Sequence, residues 1–185
     1  MDLAASAGLR HALAMDVLHL ATGHGRAKLR LPNEQETPVA PEDAAVRVMT
    51  DFAAQQAVTV MEHVSIDDAL QLMKAAGVRA LVVMRDDAVA GVITSYDIQG
   101  ERAFRFQQSA SNMRHKDVEV GDIMTPWEQV HVIDWRELTR MHVREVVVAF
   151  RGFAGTHLVV VERTPDSMTV RGVISRTRIA HLLGG

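Results

Sequence analysis

Apolar positions along the chain switch between a helical and an extended period, and the whole cycle is run twice. Residues 2 to 21 place Leu9, Leu13, Val17 and Leu20 on one face at helical spacing, which predicts an N-terminal helix. From Thr22 to Asp43 the pattern dissolves into a tract with glycines, prolines and a change from basic to acidic residues, the composition of a linker. Val58 to Met61 then reads as a short strand, and Ile66 to Ala76 as a helix with Ile66, Ala69, Leu70 and Met73 on one face and Gly77 as its stop. Arg79 to Met84 and Ala88 to Thr94 are near-continuous apolar runs flanking Asp86-Asp87. They predict a hairpin whose strands are buried on both faces, followed by a second helix from Ser95. The order then returns: a strand at Val130 to Ile133, a helix ending near Gly152, hairpin arms Thr156 to Glu162 and Met168 to Ile174, and a helix Arg176 to Leu183.

The return is an internal duplication. Met49-Thr50 answers Met124-Thr125, Leu81-Val82-Val83 answers Leu158-Val159-Val160, Gly91-Val92-Ile93 answers Gly172-Val173-Ile174, and Ile98 answers Ile179. The offset grows from 75 to 77 to 81 along these pairs, as loop insertions require, and the last step falls in a longer hairpin turn. A single copy of about 60 residues buries little surface alone. Two copies are therefore expected to pack together as an α+β protein, with two β-α-β-β-α units, small mixed sheets and a pseudo-twofold axis between them. The corresponding division is 1–44 for helix and linker, 45–109 for the first copy and 110–185 for the second.

Composition narrows the chemistry. The 185 residues are 48% hydrophobic and 23% charged, enough for a core without staples, and the absence of cysteine excludes thiolate metal sites, disulfides and a Cys nucleophile. A net charge of −3 opposes the basic field that nucleic-acid binding needs. No uninterrupted apolar run reaches the length of a membrane span, and Asp2 and Arg10 are wrong for a secretion signal, so a cytoplasmic protein is expected. The chain has no P-loop, nucleophile elbow, HExxH or Rossmann glycine pattern, and His11, His19 and His24 lack metal-ligand partners. Neither an enzyme nor a resident cofactor or metal is expected.

The motifs VRVMT and VGDIMT, GVRALVV and GTHLVVV, and GVITSYDI and GVISRTRI, in that order and twice over, resemble the cystathionine-β-synthase (CBS) domain, which occurs as tandem pairs called Bateman modules. The resemblance spans roughly Ala45 to Leu183. It implies a cleft between the paired domains that takes an adenosine-containing ligand such as AMP, ADP, ATP, NAD or S-adenosylmethionine and regulates a partner. By the family's pattern the ribose and phosphate meet Thr94 and Asp97 in the first copy, and Ser175 and Arg178 in the second. Val92 and Tyr96 adjoin the first of these junctions. The base facing Asp97 would lie against Val130, His131, Val132 and His157 of the other copy. A carboxylate suits the two cis hydroxyls of a ribose, because it offers two acceptor oxygens.

Each residue also has a purely structural role open to it. Thr94-x-x-Asp97 is equally a helix capping box, Tyr96 equally a packing residue, and His157 equally a core histidine. Arg178 in a first helical turn opposes the helix dipole and calls for an anionic partner, either a ligand phosphate or a nearby carboxylate. It also removes the ribose acceptor from the second copy, which favours one ligand per chain. The expected function is a stand-alone regulatory module, with a ligand-free dimerisation or docking scaffold as the alternative. A homodimer is expected because Val146 to Phe150 is more apolar than one helix face needs, and a separate protein partner fits the same reading.

Overall fold

The computed structural model describes residues 37–109 and 114–184; the expected N-terminal helix and most of the linker lie outside the described residues. Along the first copy run β1 (Met49–Asp51), β2 (Thr59–Met61), α1 (Ile66–Ala76), β3 (Ala80–Arg85), β4 (Ala88–Thr94), α2 (Ser95–Gln99) and α3 (Glu101–Ser109). Along the second run α4 (Val120–Ile123), β5 (Thr125–Pro126), β6 (Val132–Asp134), α5 (Trp135–Leu138), α6 (Val143–Ala149), β7 (His157–Arg163), β8 (Met168–Ser175) and α7 (Arg176–Leu182).

Local signals set these bounds. The Ser65 hydroxyl accepts from the Asp68 amide at 3.1 Å, and Gly77 adopts φ 67°, so α1 has a capped start and a left-handed stop. Its residues Ile66, Ala69 and Met73 are buried, as the spacing requires. Asp86, at φ 50°, turns β3 into β4. The helix expected from Ser95 is two helices, because the backbone leaves helical geometry at Gly100. The second copy carries an additional turn of helix, α5, between its first strand and its main helix.

The strands form two separate four-stranded mixed sheets, ordered β2-β3-β4-β5 and β1-β8-β7-β6. In each, the short strand before the main helix runs parallel to the first hairpin arm, and the remaining pairs are antiparallel. The two orders correspond position by position, as two related α+β units demand. The edge strands, however, are exchanged. β1, from the start of the first copy, pairs with β8 of the second, and β5, from the start of the second, pairs with β4 of the first.

The exchange extends to the cores. Ala45, Val48 and Met49 pack with Leu138, Val146, Leu158 and Ile174, whereas Val118, Val120, Ile123 and Met124 pack with Ile66, Met73, Leu81 and Ile93. Isolated bridges join Ala44 to His142 and Ser65 to Glu119 in the same reciprocal sense. The packed bodies thus cut across the two sequence copies at both leading segments. Burying the four apolar side chains of residues 118–124 is worth roughly 6 to 12 kcal/mol before the entropy of ordering them. The segment lent by the second copy is therefore an integral part of the first body's core, as residues 45–49 are of the second's.

Glycine permits the crossing. A Cβ at Gly91 would stand 2.2 Å from the Thr125 carbonyl oxygen, and one at Gly172 would stand 2.4 Å from that of Thr50. These are the glycines of the paired GVI motifs. β1 is further pinned by Arg171, which donates Nε to Asp51 Oδ1 at 2.9 Å and Nη2 to Oδ2 at 3.1 Å and lies 4.7 Å over the Trp135 ring.

Candidate functional site

A cleft of about 240 Å³ opens where the two sheets meet. Its floor is Val92 from β4 and Val159 from β7, which pack together with Val161 and, more peripherally, Val130 and Val132. One wall is the junction between β4 and α2, bearing Thr94, Tyr96 and Asp97. The other comprises Gln129, Val130 and His131 before β6, and Ala154 to His157 leading into β7.

The first wall is built by hydrogen bonding. Thr94 is the N-cap of α2: its hydroxyl accepts from the Asp97 amide at 3.2 Å and donates to Asp97 Oδ2 at 2.7 Å. The same Oδ2 accepts from the Thr94 amide at 2.8 Å, completing a capping box. Asp97 Oδ1 accepts from Arg102 Nη1 at 3.2 Å, and that nitrogen also reaches the Ile123 carbonyl and Thr125 Oγ1, each at 3.1 Å. Asp97 is therefore rigidly aimed and tied through one guanidinium to the strand lent by the other copy.

The second wall is histidine-rich. His131 stacks on Phe153 with ring centroids 4.1 Å apart and planes at 11°, and Phe153 in turn leans on Phe150 at 5.3 Å. Gly155 allows this, since a Cβ there would lie within 2.9 Å of two atoms of the Phe153 ring. His157 Nδ1 is 2.9 Å from Thr156 Oγ1. Burial pushes the His157 imidazole down from 6.5 to about 4, although the Asp97 carboxylate draws it the other way, so His157 is uncharged at neutral pH. Among the described lining residues there is no lysine or arginine, and Asp97 is the sole carboxylate.

Of the residues singled out in the sequence, Val92, Thr94, Tyr96, Asp97, Val130, His131 and His157 are brought together around this cleft. Three are not among its lining. Val132 packs beneath it in the apolar floor. Ser175 caps α7, and Arg178 donates Nη1 to Thr50 Oγ1 at 3.0 Å. That contact mirrors the bond from Arg102 to Thr125 in the other copy, so Arg178 docks the exchanged strand from its own helix. Thr125 of β5 and the loop residues Gln129, Ala154, Gly155 and Thr156 also line the cleft, and no periodicity marks the loop residues. Among the described residues no cluster of three His, Asp or Glu side chains has metal-binding geometry, and no helix is long and apolar enough to cross a membrane.

The family model for the CBS domain matches residues 45–102. This segment is a CBS domain. Solved structures extend the likeness in fold to the pair. CBSX2 from Arabidopsis thaliana, a CBS-pair protein, aligns with TM-score 0.50 and 23% identity over 75% of this chain and 92% of its own. CBSX2 in complex with AMP aligns with TM-score 0.50 and 22% identity over 75% and 94%. The CBS domain of the bacterial CNNM/CorC family Mg2+ transporter in complex with ATP aligns with TM-score 0.53 and 16% identity over 78% and 89%. A comparison with curated proteins finds no match. The two bodies joined by exchanged strands thus have the architecture of a CBS pair, and the cleft lies between its two halves.

Proposed function

We propose that this CBS pair is a regulatory module that binds an adenosine-containing ligand in the cleft and passes its occupancy to a protein partner or to its own dimer. The observation that carries this reading is the convergence of Thr94 and Asp97 from one body with Val130, His131 and His157 from the other on a single cleft. A ribose would hydrogen-bond the aimed carboxylate of Asp97, and an adenine would cover the apolar floor of Val92 and Val159. Because its walls come from different bodies, a ligand bridges them and stabilises their mutual packing. The AMP complex of CBSX2 and the ATP complex of the transporter domain support an adenosine ligand.

A second reading, a scaffold without ligand, is favoured by one observation: Oδ2 and Oδ1 of Asp97 already accept from Thr94 and Arg102. A carboxylate has about four acceptor positions, which leaves room for a ribose alongside these bonds. A thermal-shift panel with AMP, ADP, ATP, NAD and S-adenosylmethionine separates the readings. A ligand at 100 times its dissociation constant stabilises by about 2.7 kcal/mol, a rise of roughly 5 to 10 °C for a chain of this size. Asp97→Asn is expected to weaken the best ligand roughly 10- to 150-fold, the scale of a charge-assisted hydrogen bond. A panel without any shift, or an Asp97→Asn protein that binds as tightly as wild type, establishes the scaffold instead.

A further inference from the structure

Charge at the cleft discriminates among adenosine ligands, an inference that rests on the function proposed above. The carboxylate of Asp97 faces a space whose described lining holds no lysine or arginine. The guanidinium bound to Asp97, that of Arg102, has Nη1 shared among Asp97, Ile123 and Thr125, so it balances a charge already present. The N-terminus of α2 offers little more, because the helix has only five residues and its Asp97 amide is taken by the Thr94 hydroxyl. His157 is held uncharged by burial, and its Nδ1 is engaged by Thr156. Neutral polar groups remain at Thr125, Gln129 and Thr156, sufficient for hydroxyls or an amine but without countercharge for a polyphosphate.

We infer that the cleft selects adenosine compounds whose 5′ substituent carries no net negative charge, the nucleoside itself or a sulfonium nucleoside, over nucleoside di- and triphosphates. Adenine and ribose make the same contacts in every member of the series, so the difference between members lies in the 5′ group. Arg102 already balances Asp97, so the discrimination rests on the di- or triphosphate, which must leave water without a further cation in the described lining to receive it. Adenosine and a sulfonium nucleoside bring no net negative charge that needs one.

The experiment is calorimetric titration of the full chain at pH 7.5 and low salt with adenosine, S-adenosylmethionine, AMP, ADP and ATP. Adenosine and S-adenosylmethionine are expected to bind tightest, AMP more weakly, and ADP and ATP at least tenfold more weakly than adenosine. ADP or ATP binding as tightly as adenosine overturns the selection and leaves the proposed adenosine site standing; absence of binding by the whole series overturns both. Gln129→Lys places a cation on an exposed position of the lining and avoids the core. It is expected to raise ATP affinity relative to adenosine affinity by up to about fivefold, the scale of one exposed charge pair. An unchanged ATP-to-adenosine ratio in this variant counts against a charge-based selection.

Discussion

Replacing Gly91 with alanine tests the strand exchange at its tightest point. The new Cβ would stand 2.2 Å from the Thr125 carbonyl oxygen and 3.2 Å from the Met124 sulfur, whereas ordinary contact begins at 3.4 Å. The obstructing atom is backbone, so it cannot swing aside as a side chain would. β5 must retreat by about 1 Å, straining the pairing of Gly91 with Pro126 and of Val92 with Thr125. Overpacking of this kind costs about 1 to 3 kcal/mol. Gly91 does not use left-handed backbone, so alanine also restricts the unfolded chain and returns about 0.4 to 1 kcal/mol. The net loss is then about 0 to 2.6 kcal/mol, a fall in melting temperature of up to roughly 10 °C for a chain of this size. Gly152→Ala is the control, since its Cβ meets nothing within 4 Å and the backbone is not left-handed there. It is expected to melt at or above the wild-type temperature. Circular-dichroism melts of both variants decide the matter: a Gly91→Ala protein as stable as Gly152→Ala would show that β5 does not lie on Gly91.

Two further outcomes follow from the same geometry. His157 holds its proton more weakly in the folded chain, at about 4, than at the 6.5 of an exposed imidazole, so the unfolded state is the more protonated between those values and stability rises with pH across that window. Urea unfolding is expected to show His157→Gln losing up to about 1.4 kcal/mol per pH unit less than wild type as pH falls from 6.5 to 4; identical slopes would place His157 in solvent. The depressed carboxyl of Asp51, held down by Arg171, acts in the same direction but only as pH falls further, through its own folded value. On α6, Val146 is buried but Val148 is 59% exposed, and sedimentation is expected to give a mass near twice 20.4 kDa that Val148→Lys reduces. A concentration-independent mass of 20.4 kDa would remove the dimer.

The elements legible in the sequence are those whose ends have their own chemistry. Ser65 and Gly77 frame α1, the aspartates turn the hairpin, and Thr94 starts α2, so each boundary is set by neighbours a few residues away. The exchanged strands were not legible, because three residues in β1 and two in β5 carry no period, and their partners lie far along the chain. Their only trace was the repeated Met-Thr and the glycine of each GVI, whose meaning is a carbonyl on another copy. The site divides in the same way. Thr94 and Asp97 could be named through the family resemblance because both sit at one strand-helix junction. Gln129, Ala154 and Gly155 are in the cleft only because two bodies close on each other, and the His131 to Phe153 stack joins residues with no common element.

The reciprocal loan of edge strands also imposes an order on the birth of the molecule. Synthesis proceeds from the N-terminus, and pairings between distant residues are slow to close. The first sheet has every strand it needs once Pro126 has been made, but β1 must wait for β8, whose partners for Met49 to Asp51 are Ile174 to Gly172. Until then Ala45, Val48 and Met49, all fully or nearly buried in the finished protein, have no core to enter. A nascent chain stalled between residues 126 and 172 would therefore carry one completed body and a leading apolar segment exposed beside it. Holdase chaperones would bind that segment during those few seconds of translation.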